Sequence, residues 1–196
     1  MLKKINILGL GNLLMSDEGF GVHCIRCIEE HYDFSSAVLN GFEIQVVDAG
    51  TGGMVLGPYL EDVDRVILID VISTAPEPSP STSVLFQDQD TGQALYHFAG
   101  SDAFRRHSLQ SALSPHQVGI LEVFELSMLR GNAARYMDFF CAVAIDLSLG
   151  VQLSFGLQAL LPQMVSQIIS FLQGFGVPVV HVKKHSSPKV FSGLHA

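Results

Sequence analysis

The chain predicts an α/β protein, a three-layer sandwich whose mostly parallel sheet is flanked by helices on both faces. Three observations carry this. Apolar runs of strand length recur at 4–10, 42–47, 66–70 and 138–147, and segments of helical periodicity separate them. The runs are apolar almost throughout, as strands covered on both faces are. Finally, 196 residues with 48% hydrophobic and 15% charged content suit one domain with a full core.

The first strand, 4–10, ends in the turn Gly9-Leu10-Gly11-Asn12. Ser16 is the expected N-cap of the next helix, with Asp17 and Glu18 in its first turn, where the helix dipole favours negative charge. Val22, Ile25 and Ile28 form its apolar stripe, which fades near Tyr32. The second strand, 42–47, is closed by Asp48-Ala49-Gly50-Thr51-Gly52-Gly53; a short helix over 53–61 leads to the third, 66–70, with Asp70 as its last residue. Three prolines make 76–81 a loop. A short strand is expected at 83–86 and a partly helical surface excursion over 88–113. Pro115 opens a helix that runs to about Arg130, with Gly131 as its stop. The last strand is 138–147. Leu157, Leu160, Leu161, Met164, Val165, Ile168, Ile169 and Leu172 then keep i, i+3, i+4, i+7 spacing up to Gly174. A single domain over 1–180 and a solvated tail over 181–196 complete the expected organisation.

Composition narrows the function classes. A net charge of −8 without a Lys/Arg stripe argues against nucleic acid. No apolar run reaches the ~20 residues of a spanning helix. Met1-Leu2-Lys3-Lys4 opens like a secretory signal, but polar residues and glycines soon interrupt the apolar stretch. Three cysteines make a disulfide framework improbable and point to a reducing compartment. The expectation is a cytoplasmic monomer with no membrane partner.

Glu18, Asp70 and His116 are the residues with chemical promise. If the first and third strands are parallel neighbours, about 4.8 Å apart, the loops at their carboxyl ends bring Glu18 and Asp70 together. His116, in Ser114-Pro115-His116-Gln117, begins the helix that faces them. Two oxygens and an imidazole with open positions describe a catalytic or recognition metal site. Each residue alone also has an ordinary reading: a dipole-stabilising glutamate, a strand-end aspartate, a solvent-facing histidine. The residues by themselves leave both readings open.

Other motifs are weaker. Gly9-Leu10-Gly11 lacks the third glycine of a dinucleotide fingerprint, Leu14 standing in its place, and Asp17 and Glu18 would repel a pyrophosphate. Cys24 and Cys27 form a C-x-x-C without a second pair, which reads as packing. Cys141 falls in a core strand. The absence of a G-x-S-x-G elbow weakens a serine-hydrolase reading. The remaining histidines follow no ligand spacing and read as surface residues; His97 and His107 are candidates to line a cleft.

Residues 9–22, GLGNLLMSDEGFGV, resemble the opening of the hydrogenase maturation proteases. DAGTGG at 48–53 resembles the family's D-G-G-T-x-G, ILID at 67–70 its third-strand carboxylate, and SPHQVG at 114–119 its histidine segment. The resemblance implies a twisted five-stranded α/β sandwich and an endopeptidase that removes the carboxyl-terminal extension of the nickel–iron hydrogenase large-subunit precursor. It further implies that Glu18, Asp70 and His116 are the catalytic metal ligands. They would hold nickel brought in by the precursor, or another divalent ion. Asp48, Gly50, Thr51 and Gly52 would help recognise the substrate. Two departures stand out: Ala49 replaces a glycine, and the interval from Asp70 to His116 is long. The alternative is a non-catalytic, metal-sensing chaperone of the same precursor.

Overall fold

The structure, a computed structural model, describes residues 2–77, 79–100 and 115–182, excepting the side chains of 115–118. In chain order, β1 (Lys3–Leu10), α1 (Phe20–His31), β2 (Tyr32–Asp33) and β3 (Phe42–Gly50) come first. They are followed by α2 (Gly57–Leu60), β4 (Arg65–Ile72), β5 (Thr82–Gln87) and β6 (Ala94–Ala99). Then come α3 (Pro115–Arg130), β7 (Tyr136–Val143), α4 (Phe155–Gly174) and β8 (Val180–His181).

The main sheet has the order β3-β1-β4-β7-β6-β5. Its first four strands are parallel, and β6 is antiparallel to both of its neighbours. Ile7 pairs with Val46 on one side and Ile67 on the other, so β1 lies between β3 and β4. The chain leaves β1 toward β3 and then returns past it to β4, which puts a topological switch point at the carboxyl end of β1.

Alternation along β1 explains the two cores. Ile7 faces the layer of α1 and α4, with Phe20, Ile25, Leu157, Leu160, Met164 and Ile168. Leu8 faces the layer of α2 and α3, with Leu56, Leu60, Ile120, Phe124 and Phe139. Full burial of each such side chain contributes roughly 1.5–3 kcal/mol. The 20-residue α4 is by length and composition apolar enough to cross a bilayer. Here its buried stripe packs on the sheet, as a core helix does.

Three expectations are corrected. The main sheet has six strands, not five, because β6 occupies part of the segment expected to be a partly helical excursion. Its residues alternate across the sheet, with Leu95 in one core and Phe98 in the other. His97 hid this pattern: it is a partly buried strand residue whose Nε2 lies 2.8 Å from Asp138 Oδ1. Arg65 pairs with the same carboxylate, and its guanidinium stacks over Tyr136 at 4.6 Å and Phe175 at 4.3 Å. Second, β7 ends at Val143, and Ile145 and Leu147 leave the core. Third, His181 pairs with Tyr32 in the small β2–β8 ladder. The rest of the expected tail, from residue 183, and the expectations for 101–114 lie outside the described residues.

Candidate functional site at the carboxyl edge of the sheet

The local geometry starts with two glycines. A Cβ on Gly21 would lie 2.2 Å from the Ile69 carbonyl oxygen and 2.4 Å from that of Leu10. The first turn of α1 therefore rests on the backbone of β1 and β4 where β1 ends. A Cβ on Gly11, at φ +129°, would lie 1.7 Å from the Glu18 carbonyl oxygen, so the preceding turn folds back on the strand end. That turn is a 3-10 segment, Ser16–Gly19, and α1 begins only at Phe20. Ser16 is not a side-chain cap, contrary to expectation: it sits buried at φ 45°, and the cap position falls to Gly19.

Glu18 is half-buried in this turn. Asp70 is 2% exposed and its Oδ1 accepts the Val71 amide at 2.8 Å. It is not the last residue of its strand, since β4 runs on to Ile72 beside β7. The ladder to β1, however, stops at the Gly9–Ile69 pair. Asp70 thus stands level with the end of β1, where its neighbour on that side is the turn that carries Glu18. Across the sheet it pairs with Cys141, whose thiol is pushed well up, chiefly by burial and secondarily by the Asp70 charge.

The 48–53 loop lies beside this turn, because the Gly11 amide donates to the Gly50 carbonyl at 2.9 Å. Asp48 is exposed, with its Oδ2 3.6 Å from the Arg26 guanidinium, a surface pair of little energetic weight. Ala49 is buried against the α2–α3 core, so the methyl that departs from the family pattern points away from the loop's outer rim. Gly50 adopts φ 50°, Gly52 donates to the Ala49 carbonyl at 3.0 Å, and Thr51 is exposed at the tip. A Cβ on Gly119 would lie 3.2 Å from Gly53 Cα, so the first turns of α3 pack on this loop. His116 is the second residue of α3, and its side chain lies outside the described residues. Four segments therefore share one edge: the Glu18 turn, the Asp70 strand end, the 48–53 loop and the start of α3. Among the described residues no group of three or more His, Cys, Asp or Glu side chains has metal-binding geometry.

Sequence reasoning missed one residue here. Asp17 is completely buried. Its Oδ2 accepts the amides of Ile145 and Asp146 at 2.8 Å each, and its Oδ1 accepts that of Ser154 at 2.7 Å. It ties the Glu18 turn to the loop after β7. Local sequence carries no signal for this, because the partners lie 128 or more positions away. The cysteines are as expected: Cys24 and Cys141 are buried, Cys27 is partly so, and all three are free. Burial raises all three thiol pKa values.

The Glu18 turn, buried Asp70 and the glycine-rich 48–53 loop thus meet where the strand order reverses, the edge of an open α/β sheet at which ligands bind in such folds. Residues 22–171 match the hydrogenase maturation protease family, and the chain belongs to that family. Glu18 lies just ahead of the matched span. The chain is similar to hydrogenase expression/formation protein HupD of Rhizobium leguminosarum bv. viciae, at 26% identity over 90% of this chain and 77% of that one. It is also similar to the hydrogenase 2 maturation protease of Escherichia coli K12, at 24% over 90% and 95%. The fold resembles that of the hydrogenase maturating endopeptidase HybD from E. coli, with a TM-score of 0.68, 22% identity and coverage of 91% and 97%. It likewise resembles HybD from Thermococcus kodakarensis, with a TM-score of 0.60, 22% identity and coverage of 86% and 98%.

Proposed function

We propose that this protein is the endopeptidase that removes the carboxyl-terminal extension of a nickel–iron hydrogenase large-subunit precursor after nickel insertion. Glu18, Asp70 and His116 engage the nickel that the precursor carries. The observation that carries this reading is the seat of α1 on Ile69 and Leu10, which sets the Glu18 turn against the strand end bearing buried Asp70.

The donor chemistry suits the role. Carboxylate oxygens and an imidazole accept a borderline divalent ion without enclosing it. Nickel belongs here to the substrate; an ion of this kind supplies carbonyl polarisation and acidifies a water. The chain's own residues bind and orient. Asp70, fixed in the sheet, is the rigid donor, and Glu18, on a half-buried turn, is the accessible one. Asp48, Gly50, Thr51 and Gly52 form the rim that holds the peptide leading to the scissile bond. A precursor without nickel lacks the group these donors engage and is left uncut.

The test is intact mass of a nickel-loaded precursor after incubation with the wild type and with E18Q, D70N and H116A. The wild type is expected to release the carboxyl-terminal peptide and each variant to lose at least ~100-fold in rate, as removal of a directly engaged group does. Near-normal cleavage by all three variants would remove these residues from the mechanism. Binding without cleavage by the wild type would favour the chaperone alternative.

A further inference from the structure

The loop between β7 and α4 turns its apolar side chains outward. Ile145, Leu147, Leu149 and Val151 are 53%, 49%, 84% and 64% exposed, and Phe155, which opens α4, is 83% exposed. Leu14, on the adjoining turn, is 63% exposed. Exposed apolar side chains scattered singly are ordinary, but a contiguous group marks an interaction surface.

The backbone beneath them is pinned. Buried Asp17 holds the amides of Ile145, Asp146 and Ser154. The Ser16 amide donates to the Gly150 carbonyl at 2.8 Å, and the Gly150 amide donates to Leu14 at 3.0 Å. An ordered apolar surface binds at lower entropic cost than a floppy one. The loop is also almost uncharged: Asp146 is the only ionisable residue from 144 to 155, and its carboxylate accepts the Ser148 amide at 2.9 Å.

Resting on the function proposed above, we infer that this loop and Leu14 form the platform on which the folded body of the large-subunit precursor seats an apolar face. The occupant follows from continuity. The bonds from Asp17, Ser16 and Leu14 tie the platform to residues 14–17, immediately before Glu18, so a protein docked here lies against the proposed cleavage edge. A second copy of this chain seated here would cover that same turn and shut the substrate out. The absence of charge suits an apolar protein surface better than a charged peptide.

The experiment uses the full chain, nickel-loaded precursor, and the variants L149D/F155D and L149M/F155L. For L149D/F155D the precursor's KM and its directly measured Kd are expected to rise about tenfold or more, the effect of losing one or two anchor side chains. Its kcat and its unfolding midpoint stay near the wild-type values, and L149M/F155L restores binding. Unchanged KM and Kd in L149D/F155D, with an active wild type, would overturn the platform while leaving the protease reading intact. A wild-type dimer that L149D/F155D dissociates, with precursor binding unaffected, would also overturn it. An inactive wild type that still binds the precursor through Leu149 and Phe155 would instead sink the protease reading and keep the platform.

Discussion

Replacing Asp17 with alanine unties the site turn from the loop beyond β7. Three backbone amides, those of Ile145, Asp146 and Ser154, lose the buried carboxylate that accepts them at 2.7–2.8 Å. A buried donor left unpaired costs about 1–3 kcal/mol. Part of the loop can relax toward water once released, so D17A is expected to lose ~4 kcal/mol, a large share of the roughly 5–15 kcal/mol a typical domain has. For a chain of this size that corresponds to a melting point about 10 °C lower. D17N keeps one carbonyl acceptor but turns an amide donor toward the remaining N–H groups, so it is expected to be no better than halfway back. Urea denaturation at pH 7, read by circular dichroism, gives both values. D146A, which loses exposed bonds to the amide and side chain of Ser148, serves as the control and is expected to cost under ~1 kcal/mol. A D17A protein within ~1 kcal/mol of wild type would refute the claim that this carboxylate holds the two segments together.

Gly21→Ala drives a methyl into the Ile69 and Leu10 backbone and is expected to cost at least ~3 kcal/mol; a stable, fully active G21A by thermal melting would contradict the close seating of α1. Asp138→Ala leaves the Arg65 guanidinium without its carboxylate and His97 without its partner, with an expected loss of about 3 kcal/mol in chemical denaturation. The raised thiol pKa values mean less thiolate at a given pH, so alkylation of the native protein at pH 8 is expected to be slow at Cys27 and undetectable at Cys24 and Cys141. All three label once the chain is unfolded, and rapid native labelling of Cys141 would place it outside the core.

Much of the architecture was legible because its causes are local. Unbroken apolar runs mark β1, β4 and β7 as strands covered on both faces, and α4 shows its buried stripe in the spacing from Leu157 to Leu172. Pro115 and Gly131 bracket α3 as read from the sequence. What failed locally depends on partners far along the chain. His97 reads as a surface histidine until Asp138 from β7 satisfies it inside the sheet. The end of β7 falls short of the sequence expectation because Ile145 and Leu147 continue its apolar run, yet both are exposed among the described residues.

The site divides along the same line. Glu18 and Asp70 were recognisable as chemical groups, and the parallel pairing of β1 and β4 that joins their edges follows from the alternation of strands and helices. Asp17, next to Glu18 and of the same charge, looked like a second dipole-stabilising acid. Only the folded loop that returns from residues 145–154 shows that it is a buried anchor.

The central claim is that a pair of carboxylates at the end of β1 and β4, with the histidine of α3, makes proteolysis conditional on the metal content of the substrate. Its most direct test is intact mass of the precursor large subunit, nickel-loaded and nickel-free in parallel, after incubation with the wild-type protein. Release of the carboxyl-terminal peptide from the loaded form alone is the predicted result. Equal cleavage of both forms would contradict it, because recognition would then owe nothing to the metal.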